Sequence, residues 1–238
     1  MRYLITGGSG YIGSRLVERL ARREGVERIL ICDIRPPRAF RPKVEFEQLD
    51  VTDKSRVREL IEREKPDVLI HLAFVLNPIH DEFRMYHIDV GGTQNVLEAA
   101  EAAGVQQLLV TSSATAYGAF PDNPVPISEE QTVRGVPDFE YARDKAECDR
   151  LCQLWALRNA DRVMTQLAND TDLKYAEIDL CLFHVNSGIL LRLWKGVIQS
   201  YATDGTAIFP VTCSDGFFQI MNQYPELAVL NGGCHRMR

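Results

Sequence analysis

The chain contains no run of about 18 apolar residues, the length a bilayer-spanning helix requires. Its opening residues, Met1-Arg2-Tyr3-Leu4-Ile5-Thr6, lack the apolar core of about 7–15 residues that marks a secretory leader. Clusters of one positive sign are also missing. Lys and Arg number 27 against 33 Asp and Glu, a formal net charge of −6, with a pI near 5.5. That balance argues against a nucleic-acid surface, though backbone amides can hold small anions without any basic patch. The six cysteines (Cys32, Cys148, Cys152, Cys181, Cys213 and Cys234) form no Cys-x-x-Cys pair. Cys148 and Cys152 lie four apart on a predicted helix with no His or second pair beside them, so free, reduced thiols are expected rather than a metal site. Repeats and low-complexity segments are absent. The expectation is a cytoplasmic protein with neither membrane nor nucleic acid as partner.

What is present is an ordinary globular composition, 45% apolar and 25% charged, in 238 residues. That length suffices for one generous domain, or one domain and a small lobe. Short apolar runs alternate with helical patterns up to residue 167. Strands are predicted at 3–6, 28–32, 44–48, 68–72, 107–112 and 162–167. Between them lie a helix carrying Ile12, Leu16, Val17 and Leu20, and one through Val57, Leu60 and Ile61 bounded by Pro66. A long helix at 81–103 stops at Gly104, and another runs over 141–157. This rhythm predicts an α/β fold, a doubly wound parallel sheet (Rossmann fold) over residues 1–167. Residues 168–238 carry apolar clusters at 178–185, 189–194 and 207–211 without βα alternation, and are expected to form a small or atypical C-terminal lobe.

The first chemical motif is Thr6-Gly7-Gly8-Ser9-Gly10-Tyr11-Ile12-Gly13, a Gly-x-x-Gly-x-x-Gly loop between strand and helix. Glycine is needed there for a tight turn, for close approach to a pyrophosphate, and for helix–strand packing. The helix N-terminus adds unpaired N–H groups and a partial positive charge. Asp33 follows Gly13 by 20 residues and ends the second strand. A carboxylate there accepts hydrogen bonds from ribose hydroxyls and repels a 2′-phosphate, favouring NAD over NADP; Arg35 and Arg38 close behind would soften the preference.

The second motif is Tyr141-Ala142-Arg143-Asp144-Lys145. Positions i and i+4 share a helix face, so the ammonium sits near the phenol and lowers its pKa. The hydroxyl-rich end of strand five, Thr111-Ser112-Ser113-Ala114-Thr115, falls where parallel strands open into a ligand crevice. His71, at the end of strand four, is expected to pack or cap.

With these motifs the chain resembles the extended short-chain dehydrogenase/reductase family, the NAD-dependent epimerase/dehydratase group that includes UDP-glucose 4-epimerase. The resemblance covers residues 1–167 and adds Leu49-Asp50-Val51, His71-Leu72-Ala73, Gly92-Thr93-x-Asn95 and Ser112-Ser113-Ala114-Thr115-Ala116-Tyr117-Gly118. It implies Tyr141 as catalytic acid/base, Lys145 as its pKa-lowering partner and ribose contact, and Ser113, helped by Thr115, as hydrogen-bond donor to the reacting oxygen. It implies a cofactor site built from Gly7, Gly10, Tyr11, Ile12, Gly13, Asp33, Ile34, Asp50, Val51, Leu72, Ala73, Phe74, Tyr141 and Lys145. The substrate it implies is a hydroxylated small molecule, a nucleotide sugar, undergoing epimerisation, dehydration or oxidation. It also implies a homodimer through the helices at 81–103 and 141–158, with Leu97, Ala100, Leu151, Leu154 and Trp155 as contact or core residues.

Two departures stand out. Asp89 occupies the place where the family usually has Asn before Val-x-Gly-Thr, and 165–170 lacks the family's Arg-Pro and Gly-Pro pairs. Residues 168–238 are equally compatible with a divergent lobe, a truncation with an unrelated tail, or a shifted reading frame. The contrasting expectation is therefore a non-catalytic NAD-binding protein that has lost a working substrate lobe.

Overall fold

The structure, a computed structural model, describes residues 1–76, 81–124, 127, 131–168, 181–186 and 189–191. Six strands, β1 (Arg2–Thr6), β2 (Arg28–Asp33), β3 (Val44–Gln48), β4 (Val68–His71), β5 (Gln107–Ser112) and β6 (Val163–Ala168), pair in parallel in the order β3-β2-β1-β4-β5-β6. The order reverses between β1 and β4, where Thr6 is in register with His71. This is the doubly wound sheet that the alternation of patterns predicts.

The central strands are apolar on both faces because helices cover both. Leu4, Leu30, Leu69 and Leu108 point to one side, where they pack with Val57, Leu60, Val96, Ala100 and Trp155. Ile5, Ile29, Ile31 and Ile70 point to the other and meet Leu16, Val17 and Leu20. The covering helices are α1 (Tyr11–Ala21), α2 (Lys54–Glu64), α4 (Gly92–Ala103) and α5 (Glu140–Arg158). Asp53 caps α2 by accepting the Arg56 N–H. Gly104, at φ +71, ends α4 in the left-handed conformation that favours glycine.

The helix expected at 81–103 is not uniform. It begins as α3 (Glu82–Tyr86), capped by Asp81, widens into a π turn over His87–Gly91, and continues as α4. The widening buries Asp89 and Val90. It also seats Gly92 so close to Val51 that an added Cβ would lie 2.6 Å from the valine Cγ2.

Beyond β6 the sheet continues antiparallel through β7 (Cys181–Asn186) and β8 (Ile189–Leu191). These strands occupy the first two apolar clusters of the region for which no alternation was expected. The cluster at 207–211, like Cys213 and Cys234, lies outside the described residues.

Candidate active site

The glycine loop follows β1 at the point where the strand order reverses, the position at which doubly wound sheets open a ligand crevice. Gly7 has φ +70, and a Cβ there would come within 2.5 Å of the Ala73 backbone nitrogen. A Cβ on Gly13 would meet the backbone of Gly8 at 2.5 Å. The two glycines thus let three segments converge: the loop, the first turn of α1, and the chain leaving β4. No side chain caps the N-terminus of α1, whose N-cap is Gly10, so its first N–H groups remain available to an anion. The Ser9 hydroxyl is buried beside this turn without a hydrogen-bond partner. A cradle that a Cβ would fill, an uncapped helix tip and an orphaned hydroxyl fit a dinucleotide pyrophosphate.

At the end of β2, Asp33 accepts hydrogen bonds from Ser9 N–H (3.1 Å) and Arg35 N–H (3.3 Å), which aim its carboxylate across the loop. Tyr11 and Ile34 are exposed beside it. Asp50 is exposed and bonds Thr52 through both the backbone N–H (2.9 Å) and the hydroxyl (2.7 Å), while Val51 is buried and its carbonyl accepts from Asn95. Leu72, Ala73 and Phe74 leave β4 half-buried.

Near the C-terminal end of β5, Lys145 of α5 donates from Nζ to the Thr111 carbonyl at 3.0 Å. Its ammonium lies 3.4 Å from the Phe74 ring centroid and 5.8 Å from that of Tyr141. Phe74 and Tyr141 meet edge to face at 5.5 Å, and Phe139 lies tilted against Tyr141 at 6.0 Å. The helical spacing of Tyr141 and Lys145 therefore brings both to one aromatic cluster. Burial lowers the Lys145 pKa to about 8, although Cys148 and Asp89 pull it upward. Ser113, two residues past Thr111, is buried and accepts from the Thr115 hydroxyl at 2.9 Å.

A polar relay runs beneath. His71 Nε2 lies 3.0 Å from Thr93 Oγ1, which itself donates to the Asp89 carbonyl at 2.6 Å. That hydroxyl proton being committed, Nε2–H is the donor to Thr93, and His71 Nδ1 accepts from Thr6 Oγ1 at 2.6 Å. Burial first, then the Lys145 charge, push the His71 pKa down to about 3, so the ring is neutral. His71 packs, one of the two roles expected of it. Three groups outside the sequence-derived site lie close by: Asp89, Asp144 and Phe139. Only Asp89 carried a signal, its replacement of the usual Asn.

Of the helix residues considered for a subunit contact, Leu97, Ala100 and Trp155 belong to the core, whereas Leu154 and its neighbour Leu157 are more than half exposed. No helix among the described residues is long and apolar enough to cross a membrane.

Fold and site together define an α/β dinucleotide-binding protein with a Tyr–Lys pair at the mouth of its parallel sheet. The model of the NAD dependent epimerase/dehydratase family matches residues 3–169, and the chain belongs to that family, whose cofactor is NAD. Among curated proteins it is 32% identical over 161 residues to an uncharacterized epimerase/dehydratase of Staphylococcus aureus, covering 66% of this chain and 49% of the relative. Among solved structures it is similar to the UDP-Glc/GlcNAc 4-epimerase of Campylobacter jejuni (25% identity, TM-score 0.61, 70% of this chain and 52% of that one). It is also similar to a UDP-glucose 4-epimerase of Brucella ovis in complex with NAD (26% identity, TM-score 0.59, 70% and 50%). The chain spans about half the length of the curated relatives it matches.

Proposed function

We propose that the chain carries out NAD-dependent proton and hydride transfer on a hydroxylated substrate, a nucleotide sugar, with Tyr141 as acid/base. The observation that carries this reading is the burial of the Lys145 ammonium against Phe74 and Tyr141, held by the Thr111 carbonyl at the crevice end of β5. A phenol with an ordinary pKa near 10 is a poor base at neutral pH. A cation a few ångströms away favours the phenolate, and a water-poor setting strengthens that attraction.

In this reading Tyr141 takes the proton of a substrate hydroxyl, and Ser113 donates a hydrogen bond to the same oxygen as it becomes a carbonyl. NAD supplies the hydride acceptor. Gly7, Gly10 and Gly13 with the N–H groups of Tyr11 and Ile12 hold the pyrophosphate, and Asp33 with Ile34 receives a ribose. Asp50 and Val51 border the adenine, and Leu72, Ala73, Phe74 and Lys145 line the remainder. Return of the hydride to the other face gives epimerisation, loss of water gives dehydration, and release gives oxidation. In the same reading residues 1–167 are the NAD-binding domain and 168–238 an atypical C-terminal region standing where a substrate lobe would be, its strands β7 and β8 continuing the domain's sheet. The exposed Leu154 and Leu157 on α5 support a homodimer built on that helix.

Assay of UDP-, dTDP- and GDP-sugars tests the proposal. Tyr141→Phe is expected to lower turnover by about 10³-fold or more while NAD affinity stays within about twofold. Full turnover in that variant overturns the mechanism. A second reading, NAD binding without turnover, is favoured by the run of β6 into antiparallel β7. It holds if wild-type protein binds NAD and converts none of these sugars, nor simple alcohols.

A further inference from the structure

Asp89 is fully buried, yet only one of its carboxylate oxygens is used. Oδ1 accepts the Val75 N–H at 2.7 Å, and Oδ2 is enclosed without a partner. Burying a carboxylate in this way is costly unless its hydrogen bonds offset the loss of water. Val75 follows Phe74, whose ring covers the Lys145 ammonium at 3.4 Å and meets Tyr141 edge to face. Asp89 is itself fixed from below, because its carbonyl accepts from Thr93 Oγ1 (2.6 Å) and from Cys148 Sγ (3.4 Å). The π turn, bonded in this way to the relay under the sheet, thus holds the loop that leaves β4.

We propose that Asp89 is a positioning residue that grips Val75 and so seats Phe74 over Lys145 and against Tyr141. The inference rests on the reading of Tyr141 and Lys145 as the acid–base pair. The charged and titratable groups around Asp89 are Lys145, Asp144 and Cys148 on α5, together with neutral His71 on β4; Val75 N–H reaches it from the loop. Burial first, then Asp144, raise the Asp89 pKa to about 7, against the opposing pull of Val75 N–H and Lys145. Above that pH the grip on Val75 becomes a charge-assisted bond, and the carboxylate helps Lys145 keep its proton.

Competitive acylation of Lys145 by acetic anhydride, followed by peptide mass spectrometry across about pH 6–10, separates the two effects without any turnover. The plateau rate of the free amine reads access past Phe74, and the midpoint reads charge. In Asp89→Ala the plateau is expected to rise about tenfold, the cost of one hydrogen bond to a charged acceptor. Asp89→Asn keeps a neutral acceptor for Val75 N–H in place of a charged one, so its plateau falls between those of wild type and Asp89→Ala while its midpoint falls. A wild-type plateau in folded Asp89→Ala, or an unchanged midpoint in Asp89→Asn, overturns the proposal. Should Asp89→Ala not fold, Phe74→Ala supplies the uncovered plateau and Asp89→Asn still decides the charge. Tyr141→Phe tests the acid–base reading by turnover alone, so failure of one reading is distinguishable from failure of the other.

Discussion

Gly13 and Gly8 touch backbone to backbone where α1 leaves the loop, with no room for the 2.5 Å approach that a Cβ would impose. A flexible side chain could yield, but a peptide group cannot without moving the helix tip. Gly13→Ala is therefore expected to cost about 1–3 kcal/mol of stability, seen as a lowered Tm. It should also weaken NAD binding measured by calorimetry, because the displaced N–H groups no longer converge. This site was legible in the sequence because its residues are neighbours along the chain and their spacing states the geometry. The same is true of Tyr141 and Lys145, which one helical turn brings together. Asp89 and Val75 are 14 residues apart and His71 and Thr93 are 22 apart, and no periodicity announces either contact. The departure from the usual Asn marked Asp89 as unusual, but its partner emerges only from the fold.

At the scale of elements, Trp155 shows how α5 is held. Its ring is fully buried in the core between α5, α4 and the sheet, and Nε1–H donates to the Leu97 carbonyl of α4 at 3.0 Å. Trp155→Ala is expected to cost about 3–5 kcal/mol, read by denaturant unfolding, and to loosen the helix that bears both Tyr141 and Lys145. Trp155→Phe should retain most of that stability, since it keeps an aromatic filling and loses one hydrogen bond. Strands β1 to β6 and their helices were readable because apolar runs alternate with 3.6-residue patterns over long stretches. The π turn was not, because a single widened turn leaves that pattern nearly intact. Nor were β7 and β8: short apolar runs without helical spacing between them match several structures, and pairing with β6 selects the antiparallel strand.

For the molecule as a whole, the glycine loop and the acidic composition act in opposite directions on an anionic ligand. The formal charge of −6 repels a dinucleotide at long range, while the uncapped tip of α1 attracts it only within contact distance. Ions in solution screen the distant repulsion far more than they screen peptide dipoles enclosed by protein. Raising the ionic strength should therefore quicken the association of NAD, measured by stopped-flow, and leave its dissociation rate nearly constant. Slower association in salt would mean that exposed arginines, rather than the peptide groups of the loop, draw the ligand in. A protein that captures phosphate with its main chain can let its surface charge drift through evolution without losing its cofactor.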